Sequence, residues 1–293
     1  MNNNLPKVTI VTVCYNAATS ILQTMESVLN QTYPNVEYLI IDGASTDHTL
    51  EIVKGIADKF RRKGYQLHIH SEADKGIYDA MNKGIRLATG KWINFMNAGD
   101  GFCSSDVLMR TFQNDPEENL LYGDTIFQMN FGNLLLKPKS IDCLRKHMAF
   151  CHQSVFLPTS VMKASPFKLE YRIAGDYKFF YDYYNCGGSF RYLGYPIAYF
   201  ESENGVSSTN ILEAHKEKAH IRSEHLSLSW QIKYGFKYTG YHFKEFLKGF
   251  FPKPLVETVR HWNYQRKMHR RIYKQNLQNA KNRLYEQQRI SSI

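Results

Sequence analysis

The sequence predicts an α/β protein whose mostly parallel sheet is flanked by helices, followed by a helical, basic C-terminal extension. Between residues 8 and 96, short apolar runs alternate with amphipathic helical patterns, and the connections are short. The charge is unevenly placed. Residues 1–212 hold 20 Lys and Arg against 21 Asp and Glu, whereas residues 213–293 hold 17 against 6. We therefore expect a catalytic domain at 1–210 and a basic region at 211–293.

The first hundred residues contain four predicted strands that alternate with three predicted helices. The first two strands are rich in β-branched and apolar residues, as expected for strands that are buried on both faces. The helices show apolar residues at three- and four-residue spacing. The predicted strands cover residues 8–13, 36–41, 66–70 and 92–96, and the predicted helices cover 21–29, 50–56 and 76–88.

After residue 100 the alternation is lost, which indicates a mixed rather than a doubly wound second half. Strands are predicted at 120–128, 134–137 and 153–157, and helices at 107–112, around 177–184 and from about residue 210 onward.

The cysteines and the apolar content indicate the compartment. Five scattered cysteines without a C-x-x-C pair favour buried thiols over zinc binding or a disulfide framework. The first residues lack the apolar core of a signal peptide, and no uncharged apolar run approaches the roughly 20 residues of a spanning helix. We expect a cytoplasmic protein, at most peripheral on the inner face of the plasma membrane.

Short polar motifs follow each of the four predicted strands. They are Tyr15-Asn16, Asp42-Gly43-Ala44-Ser45-Thr46-Asp47, Asp74 and Asn97-Ala98-Gly99-Asp100. The carboxyl ends of parallel strands are the usual ligand-binding edge of an α/β sheet. In this order and spacing the motifs resemble those of family-two glycosyltransferases, over roughly residues 6–200. The resemblance implies the GT-A fold. The sequence of residues 74–84 and 97–100 is most similar to that of bacterial surface-polysaccharide transferases, including those of colanic-acid-type clusters.

The resemblance implies a nucleotide-sugar donor, with UDP expected before GDP and the base left open. Candidate nucleotide contacts are Val13, Tyr15, Asp42 and Asp74. Family members often have a second carboxylate after the one that Asp42 matches, and here that position is Gly43. This departure weakens any inference about the base.

The resemblance also implies a divalent cation, Mn²⁺ or Mg²⁺, at the family's Asp-x-Asp motif. Here the motif reads Asn97-Ala98-Gly99-Asp100, so Asp100 is the one remaining carboxylate and the candidate metal ligand. One carboxylate, two diphosphate oxygens and waters suffice for such hard cations, which often keep several waters.

For the chemical step, the resemblance points to Asp176 as the base that activates the acceptor hydroxyl. A lone carboxylate is enough for an inverting transfer, because inversion needs one base and one displacement. Asp79 and His152 are candidate contacts of the donor sugar or the acceptor, and a hydrogen-bonded core histidine is the alternative for His152. The resemblance implies transfer of a hexosyl or deoxyhexosyl residue to a glycan that is carried on a polyprenyl diphosphate.

The C-terminal region interleaves aromatic residues with lysine and arginine. Residues 236–275 contain Phe243, Phe250 and Trp262 among basic residues, the composition of a helix at a membrane interface. We expect this segment to dock on a membrane surface. A helical hairpin packed on the first domain is the alternative.

Two other enzyme classes lack their sequence motifs in this chain. Nucleotidyl transfer needs a glycine-rich basic loop after the first strand, and a dinucleotide-binding dehydrogenase needs G-x-G-x-x-G; neither motif is present. A catalytically inactive or binding-only protein, which would contact a membrane or nucleic acid through the basic region, remains the alternative. The near-neutral first 212 residues offer no basic groove, so no nucleic-acid partner is expected.

Overall fold

The computed structural model describes residues 5–117, 119–129, 132–201 and 211–224. Beyond these it describes only residues 232, 234–236, 239–240, 243, 250–252, 258–259, 262 and 266. The chain divides into two compact units, Met1–Ser227 and Leu228–Ile293. The elements below all belong to the first unit.

The first half of this unit has the predicted alternation of strands and helices. The elements are β1 (Val8–Cys14), α1 (Ile21–Leu29), β2 (Val36–Asp42), α2 (Thr49–Lys63), β3 (Gln66–Ser71), α3 (Ile77–Leu87) and β4 (Trp92–Phe95). The four predicted strands each agree to within about a residue at either end, which is the usual uncertainty of element boundaries.

The second half is mixed, as predicted. Its elements are β5 (Gly101–Phe102), α4 (Val107–Phe112), β6 (Leu120–Met129), β7 (Gly132–Leu136), β8 (Val155–Pro158), α5 (Thr159–Ala164), α6 (Gly175–Asn185), β9 (Phe190–Glu201) and α7 (Ile211–Ile221). Two 3₁₀ turns lie at Ile141–Arg145 and His152–Ser154. The 12-residue strand β9 was not predicted, because Gly194 and Pro196 interrupt its apolar alternation.

The strands form one sheet in the order β3-β2-β1-β4-β8-β6-β9-β5, and β7 pairs with the free part of β6. The pairs β3-β2, β2-β1 and β1-β4 are parallel, whereas β8 is antiparallel to both of its neighbours. The chain leaves β1 toward β2 and β3 and then returns to the other side of β1 with β4. The strand order therefore switches at β1 and β4, where α/β sheets bind ligands.

Both faces of the parallel part are covered. Along β1, Val8 and Ile10 pack against α1 and α2, whereas Val11 and Val13 face the opposite side and pack with α3. Helix α3 lies close to the sheet because Gly84 has no side chain, and a Cβ there would be 2.5 Å from Val11 Cγ1. The sheet is thus held rigidly between two apolar layers.

Helix α7 belongs to the first unit, although the sequence placed it in the C-terminal region. Its Ile221 is buried in a small cluster with Tyr171, Ala174 and Tyr177. The compact unit therefore extends past the predicted boundary at residue 210. Among the described residues, no helix is long and apolar enough to cross a membrane.

Candidate active site

The motifs singled out in the sequence meet at one edge of the sheet. The carboxyl ends of β3, β2, β1 and β4 lie side by side in that order. Neighbouring strands are about 4.8 Å apart, so three steps place the ends of β3 and β4 about 14 Å apart. This edge can accommodate an extended ligand, with one end near β3 and the other near β4.

Asp42, at the end of β2, is completely buried, and its carboxylate holds the following loop. Its Oδ2 accepts hydrogen bonds from the Ser45 backbone N–H at 3.0 Å and from the Ser71 hydroxyl at 2.6 Å, and its Oδ1 accepts from the Ser45 hydroxyl. Both oxygens are therefore engaged within the protein. Asp42 shapes the loop, and its predicted contact with a nucleotide stays a prediction.

The loop after β1 is fastened to the loop after β2. Asn16 has a φ of 48°, and its side-chain oxygen accepts a hydrogen bond from the Thr46 backbone N–H at 2.9 Å. Its own backbone N–H donates to the Ser45 hydroxyl at 2.8 Å. These contacts leave the neighbouring Tyr15 ring 64% exposed, pointing away from the core. Val13, by contrast, packs its side chain in the core, and its carbonyl accepts from the Ala98 N–H at 3.2 Å.

Asp74 lies directly over Gly43. A Cβ added to Gly43 would be 2.5 Å from Asp74 Oδ2 and 3.4 Å from Tyr15 Cδ2. The Asp74 carboxylate therefore occupies the space that a side chain at position 43 would need. The family's second carboxylate is absent from the sequence at this position, but a carboxylate from the end of β3 lies there instead.

Two side chains of α3 fix the loop that carries Asp74. The Asp79 carboxylate accepts from the Lys75 backbone N–H at 3.0 Å, and the buried Lys83 ammonium donates to the Ala73 carbonyl at 2.8 Å. Asp74 itself accepts from the Gly76 N–H at 2.8 Å. Asp79, predicted to contact a sugar, thus has a visible structural role in this loop.

The Asn97–Asp100 turn follows β4 and is held from α1. The Thr24 hydroxyl donates to the Asp100 carbonyl at 2.7 Å and accepts from the Gly99 N–H at 2.9 Å. The Asp100 side chain is 5% exposed, and its Oδ2 accepts from Gln153 Nε2 at 2.9 Å. Gln153 follows His152 in a 3₁₀ turn, so this turn lies beside Asp100.

A line of polar side chains joins Asn97 to Asp176. The Asn97 amide nitrogen is 3.3 Å from His152 Nε2, and His152 Nδ1 is 3.4 Å from Asp176 Oδ2. These contacts place the Asn97 amide on the Nε2 side of the imidazole ring and the Asp176 carboxylate on its Nδ1 side. His152 and Asp176 were both predicted as site residues, and the structure brings them together.

Asp176 is half-buried at the first turn of α6 and accepts from several donors. The Tyr78 hydroxyl lies 3.1 Å from its Oδ1, and the Tyr177 backbone N–H donates to the same oxygen at 2.7 Å. Burial raises the pKa of Asp176. The hydrogen bond and charge of His152, together with the Tyr177 N–H, lower it by more than burial raises it, so the pKa lies below its ordinary value. The carboxylate is therefore ionised at neutral pH and available as a proton acceptor.

Tyr78 reaches Asp176 because Gly175 leaves room for its ring. A Cβ at Gly175 would be 2.8 Å from Tyr78 Cε2. Burial, followed by the charge of Asp176, raises the pKa of the Tyr78 hydroxyl well above its ordinary value. The phenol therefore stays protonated and orients the carboxylate.

Glu217 of α7 holds the segment that leads into Asp176. Its carboxylate accepts from three consecutive backbone N–H groups, at 2.8 Å from Arg172, 3.0 Å from Ile173 and 2.7 Å from Ala174. These N–H groups precede α6 and would otherwise have no hydrogen-bond acceptor within the helix. The C-terminal helix α7 thus fixes the position of the predicted base.

The sequence did not identify Tyr78, Gln153 or Glu217 as parts of this site. Tyr78 follows Ile77 in an apolar helical pattern, and Glu217 lies on a solvated, charged helix; no local signal distinguishes either from a residue of ordinary structure. Each acts over more than 40 residues of chain, which a local pattern does not report.

The fit of the Asn97–Asp100 turn to a divalent cation depends on the oxygen atoms that it presents. No group of three or more His, Cys, Asp or Glu side chains that could hold a metal exists among the described residues. However, the Asn97 side-chain oxygen is buried without a hydrogen-bond partner in that part of the chain, and Asp100 lies on the same turn. A carboxylate and an unpaired amide oxygen suit a hard cation that takes its other ligands from a bound diphosphate and from water.

Comparison with solved structures agrees with this architecture. The structure of Staphylococcus aureus TarS 1–349 in complex with UDP-GlcNAc matches with a TM-score of 0.57 at 18% identity, over 73% of this chain and 66% of that one. A Pyrobaculum calidifontis mannosyltransferase in complex with GDP-Man and Mn²⁺ matches with a TM-score of 0.55 at 17% identity, over 74% of this chain and 65% of that one. The chain spans 39% of a longer TarS chain. The fold is therefore the GT-A fold of glycosyltransferases, as predicted.

Comparison of sequences identifies the family. The profile described as glycosyl transferase family 2 matches residues 9–139. A PGL/p-HBAD biosynthesis glycosyltransferase of Mycobacterium bovis BCG is 31% identical over 213 residues, which are 70% of this chain and 80% of that relative. An uncharacterized glycosyltransferase of Haemophilus influenzae is 32% identical over 146 residues, 48% of this chain and 57% of that one. The chain belongs to glycosyltransferase family 2.

Proposed function

We propose that this glycosyltransferase is inverting and moves a hexosyl or deoxyhexosyl residue from a nucleoside-diphosphate sugar to a glycan hydroxyl. The observation that carries the proposal is the Asp176 carboxylate, which is ionised and held by His152 beside the Asn97–Asp100 turn. A lone base fits one displacement, whereas retention by a double displacement would call for a nucleophile as well. In this proposal the acceptor is lipid-linked and belongs to bacterial surface-polysaccharide synthesis.

The nucleoside end of the donor is proposed to lie at β1 and β3. The exposed Tyr15 ring offers a face on which a base can stack, and the Asp74 carboxylate beside it can accept from a base or ribose. Asp42 then acts through the loop that it holds. The relatives with bound UDP-GlcNAc and GDP-Man leave UDP and GDP as the candidates, and we place UDP first.

In the proposed reaction the acceptor oxygen attacks the anomeric carbon from the face opposite the diphosphate. A new C–O bond forms, and the bond between the anomeric carbon and the diphosphate oxygen breaks with its electron pair on that oxygen. The acceptor hydroxyl becomes strongly acidic as its oxygen bonds to carbon, so Asp176 can take the proton despite its low pKa. His152 and Tyr78 hold the carboxylate in place throughout.

Asp100 and the Asn97 side-chain oxygen are proposed to hold Mn²⁺ or Mg²⁺ together with the donor diphosphate. Bound there, the cation would neutralise charge that develops on the departing diphosphate. Gln153 orients the Asp100 carboxylate, and Thr24 fixes the turn.

The proposed stereochemistry is tested by proton NMR of the product formed from a UDP- or GDP-sugar of known anomeric configuration. We expect the coupling constant of the new glycosidic bond to report the opposite configuration. A product with the donor's configuration would contradict a single displacement at Asp176.

Changing Gly43 to alanine is expected to weaken nucleotide binding by about tenfold. The new methyl group must displace the Asp74 carboxylate, which then loses its charge-assisted contact with the nucleotide. The clash is with the end of a side chain, so the fold should persist. Gly55→Ala is the matched control, since nothing lies within 4 Å of that position. Equal nucleotide affinities of the two variants in a calorimetric titration would remove Asp74 from the nucleotide site.

Changing His152 to alanine is expected to move the acidic limb of the kcat/KM profile to higher pH. The base works when ionised, so activity is lost as pH falls through the Asp176 pKa. Without the hydrogen bond and charge of His152, burial would dominate and that pKa would rise. His48→Ala removes an exposed histidine that pairs with Glu51, and its profile should match the unmodified enzyme. An acidic limb that does not move in His152→Ala would mean that His152 does not set the state of Asp176.

The C-terminal region is proposed to dock the enzyme on an anionic membrane. The predicted docking segment, residues 236–275, lies mostly outside the described residues. Those of its aromatic side chains that are described, Phe236, Phe243, Phe250, Phe251 and Trp262, are exposed. Such side chains beside lysine and arginine favour a lipid interface.

Full-length protein should therefore float with phosphatidylglycerol vesicles, and changing Phe243, Phe250 and Phe251 to serine should abolish flotation. The control changes three exposed leucines of the first unit, Leu22, Leu135 and Leu169, to serine. Loss of flotation in both variants, or in neither, would argue against docking through this segment.

A further inference from the structure

Basic side chains from three segments of the first unit converge around His147. We define the basic cluster as Lys139, Lys146, His147 and Lys218. Lys139 follows β7 and is tied by its N–H to the Ala149 carbonyl at 2.8 Å. Lys146 and His147 leave the first 3₁₀ turn, where both backbone N–H groups donate to the Cys143 carbonyl at 2.8 Å. Lys218 lies on α7.

Arg222 joins these segments. Its guanidinium donates to the Lys146 carbonyl at 2.9 Å, which fastens the turn to the end of α7. Two further N–H groups, on Nε and Nη2, donate to the Glu224 carboxylate at 2.7 and 2.8 Å. Arg222 is thus paired with Glu224, and its role in the basic cluster is to hold the segment of Lys146 against the end of α7.

In the described part of the chain, no acidic side chain forms an ion pair with a lysine of the basic cluster. Glu217 is the nearest acid on α7 by sequence, and its carboxylate is used by the backbone N–H groups before α6. Among the residues that the structure describes, no ion pair is formed by Lys139, Lys146 or Lys218. These lysines, of which Lys139 and Lys146 are exposed and Lys218 is half-buried, therefore keep a positive potential that attracts anions.

The His147 imidazole reports this potential. Its pKa is lowered, first by burial and then by four surrounding cations. The four are Lys139, Arg222, Lys146 and Lys218. Like charges this close to an imidazole disfavour its protonated form, and a bound anion would reverse the effect.

The basic cluster lies at the acceptor end of the site. Lys218 is close enough to Asp176 for its charge to help lower the carboxyl pKa. The Tyr177 hydroxyl, from the residue next to Asp176, donates to the Leu144 carbonyl at 2.9 Å, two residues before Lys146. By contrast, the donor's nucleoside is proposed to lie at β1 and β3, in the parallel part of the sheet, which carries none of the basic cluster.

Resting on the proposed function, we propose that the basic cluster is a subsite for a phosphate group carried by the acceptor. Three lysines from separate segments can surround a phosphate or diphosphate ester, whose oxygens accept several charge-assisted hydrogen bonds. Holding that group next to Asp176 would place the acceptor's sugar hydroxyl within reach of the base. Acceptors without the phosphate would then be used poorly.

The test follows the His147 ring by NMR in full-length protein while inorganic pyrophosphate is added in metal-free buffer, with His147→Gln to assign the resonance. We expect a saturable shift and a raised His147 pKa. Changing Lys139, Lys146 and Lys218 to glutamine should weaken the apparent affinity by about tenfold or more. The control changes Lys54, Lys59 and Lys163, exposed lysines of α2 and α5, to glutamine and removes the same charge.

The outcomes separate this subsite from the proposed function. No shift of His147 by pyrophosphate, or equal affinities in the two triple variants, would overturn the subsite even if UDP or GDP binds normally. A His147 shift with phosphatidylglycerol vesicles but not with pyrophosphate would assign the basic cluster to lipid headgroups, which also overturns it. Failure of every nucleotide to bind would instead contradict the glycosyl-transfer proposal.

Discussion

Changing Asp176 to asparagine should lower kcat by about a thousandfold, because a positioned general base contributes roughly 10²- to 10⁴-fold to a rate. Asparagine has nearly the same shape and still offers an oxygen to the Tyr78 hydroxyl and the Tyr177 N–H. The site geometry should therefore persist while the proton acceptor is lost. Rates are compared at saturating donor and acceptor, and nucleotide affinity should stay within about twofold since the donor's contacts lie elsewhere.

The matched control is Asp182→Asn on the same helix. Asp182 pairs with Lys178 at 2.6 Å and is partly exposed, so its loss should cost less than about 1 kcal/mol of stability and leave kcat unchanged. If Asp176→Asn kept a rate near that of Asp182→Asn, another group would have to be the base.

Changing Asp100 to asparagine should remove the gain in nucleotide affinity that Mn²⁺ provides and lower kcat/KM by about a hundredfold, as expected when a charge-stabilising group is lost. The Asn97–Asp100 turn should stay intact, because Thr24 holds it through backbone atoms. Calorimetric titrations with and without Mn²⁺ measure the first effect, and steady-state rates measure the second.

Asp106→Asn serves as the comparison for Asp100. Asp106 precedes α4, is about half exposed, and bonds the Ser104 hydroxyl and Arg110 away from the site. Its variant should keep both the metal effect and the rate. Undiminished Mn²⁺ dependence in Asp100→Asn would show that the cation, if bound, is held by other residues.

The parallel half of the fold could be predicted from sequence because its signals are local. The strand at Val8–Cys14 is apolar and β-branched throughout, and the helix at Ile77–Leu87 has apolar residues at helical spacing. Their motifs follow the strands directly, so the predicted strands place these motifs together at one edge of the sheet. Strand β9 was not predicted from the sequence, because Gly194 and Pro196 interrupt its alternation of apolar and polar residues. Its pairing partner, β6, lies far away in the chain.

The sequence singles out the carboxylates of the candidate site but not the residues that position them. Asp176 and His152 were singled out separately, and their contact comes from the fold. Glu217 and Tyr78 act through backbone and hydroxyl groups more than 40 residues away, which leaves no local pattern. A local sequence pattern can identify residues that are close together in the chain. It cannot identify contacts between residues that only the fold brings together.

Position 43 shows how a departure from a motif can be compensated elsewhere. The sequence lacks the second carboxylate after Asp42, which weakened the inference about the nucleotide base. In the structure the Asp74 carboxylate lies over Gly43, within the space that a side chain there would fill. Glycine is thus the residue that allows the carboxylate from β3 to stand beside Tyr15.

The most direct test of the proposed donor site is calorimetric titration of the full-length protein with UDP, GDP and CMP, each with and without Mn²⁺. We predict that one nucleoside diphosphate binds, more tightly with Mn²⁺ than without, and that Asp100→Asn removes the difference. If the folded protein bound none of the three, with or without Mn²⁺, the edge formed by Tyr15, Asp74 and Asp100 would not be a nucleotide site, and a binding-only protein would be the better interpretation.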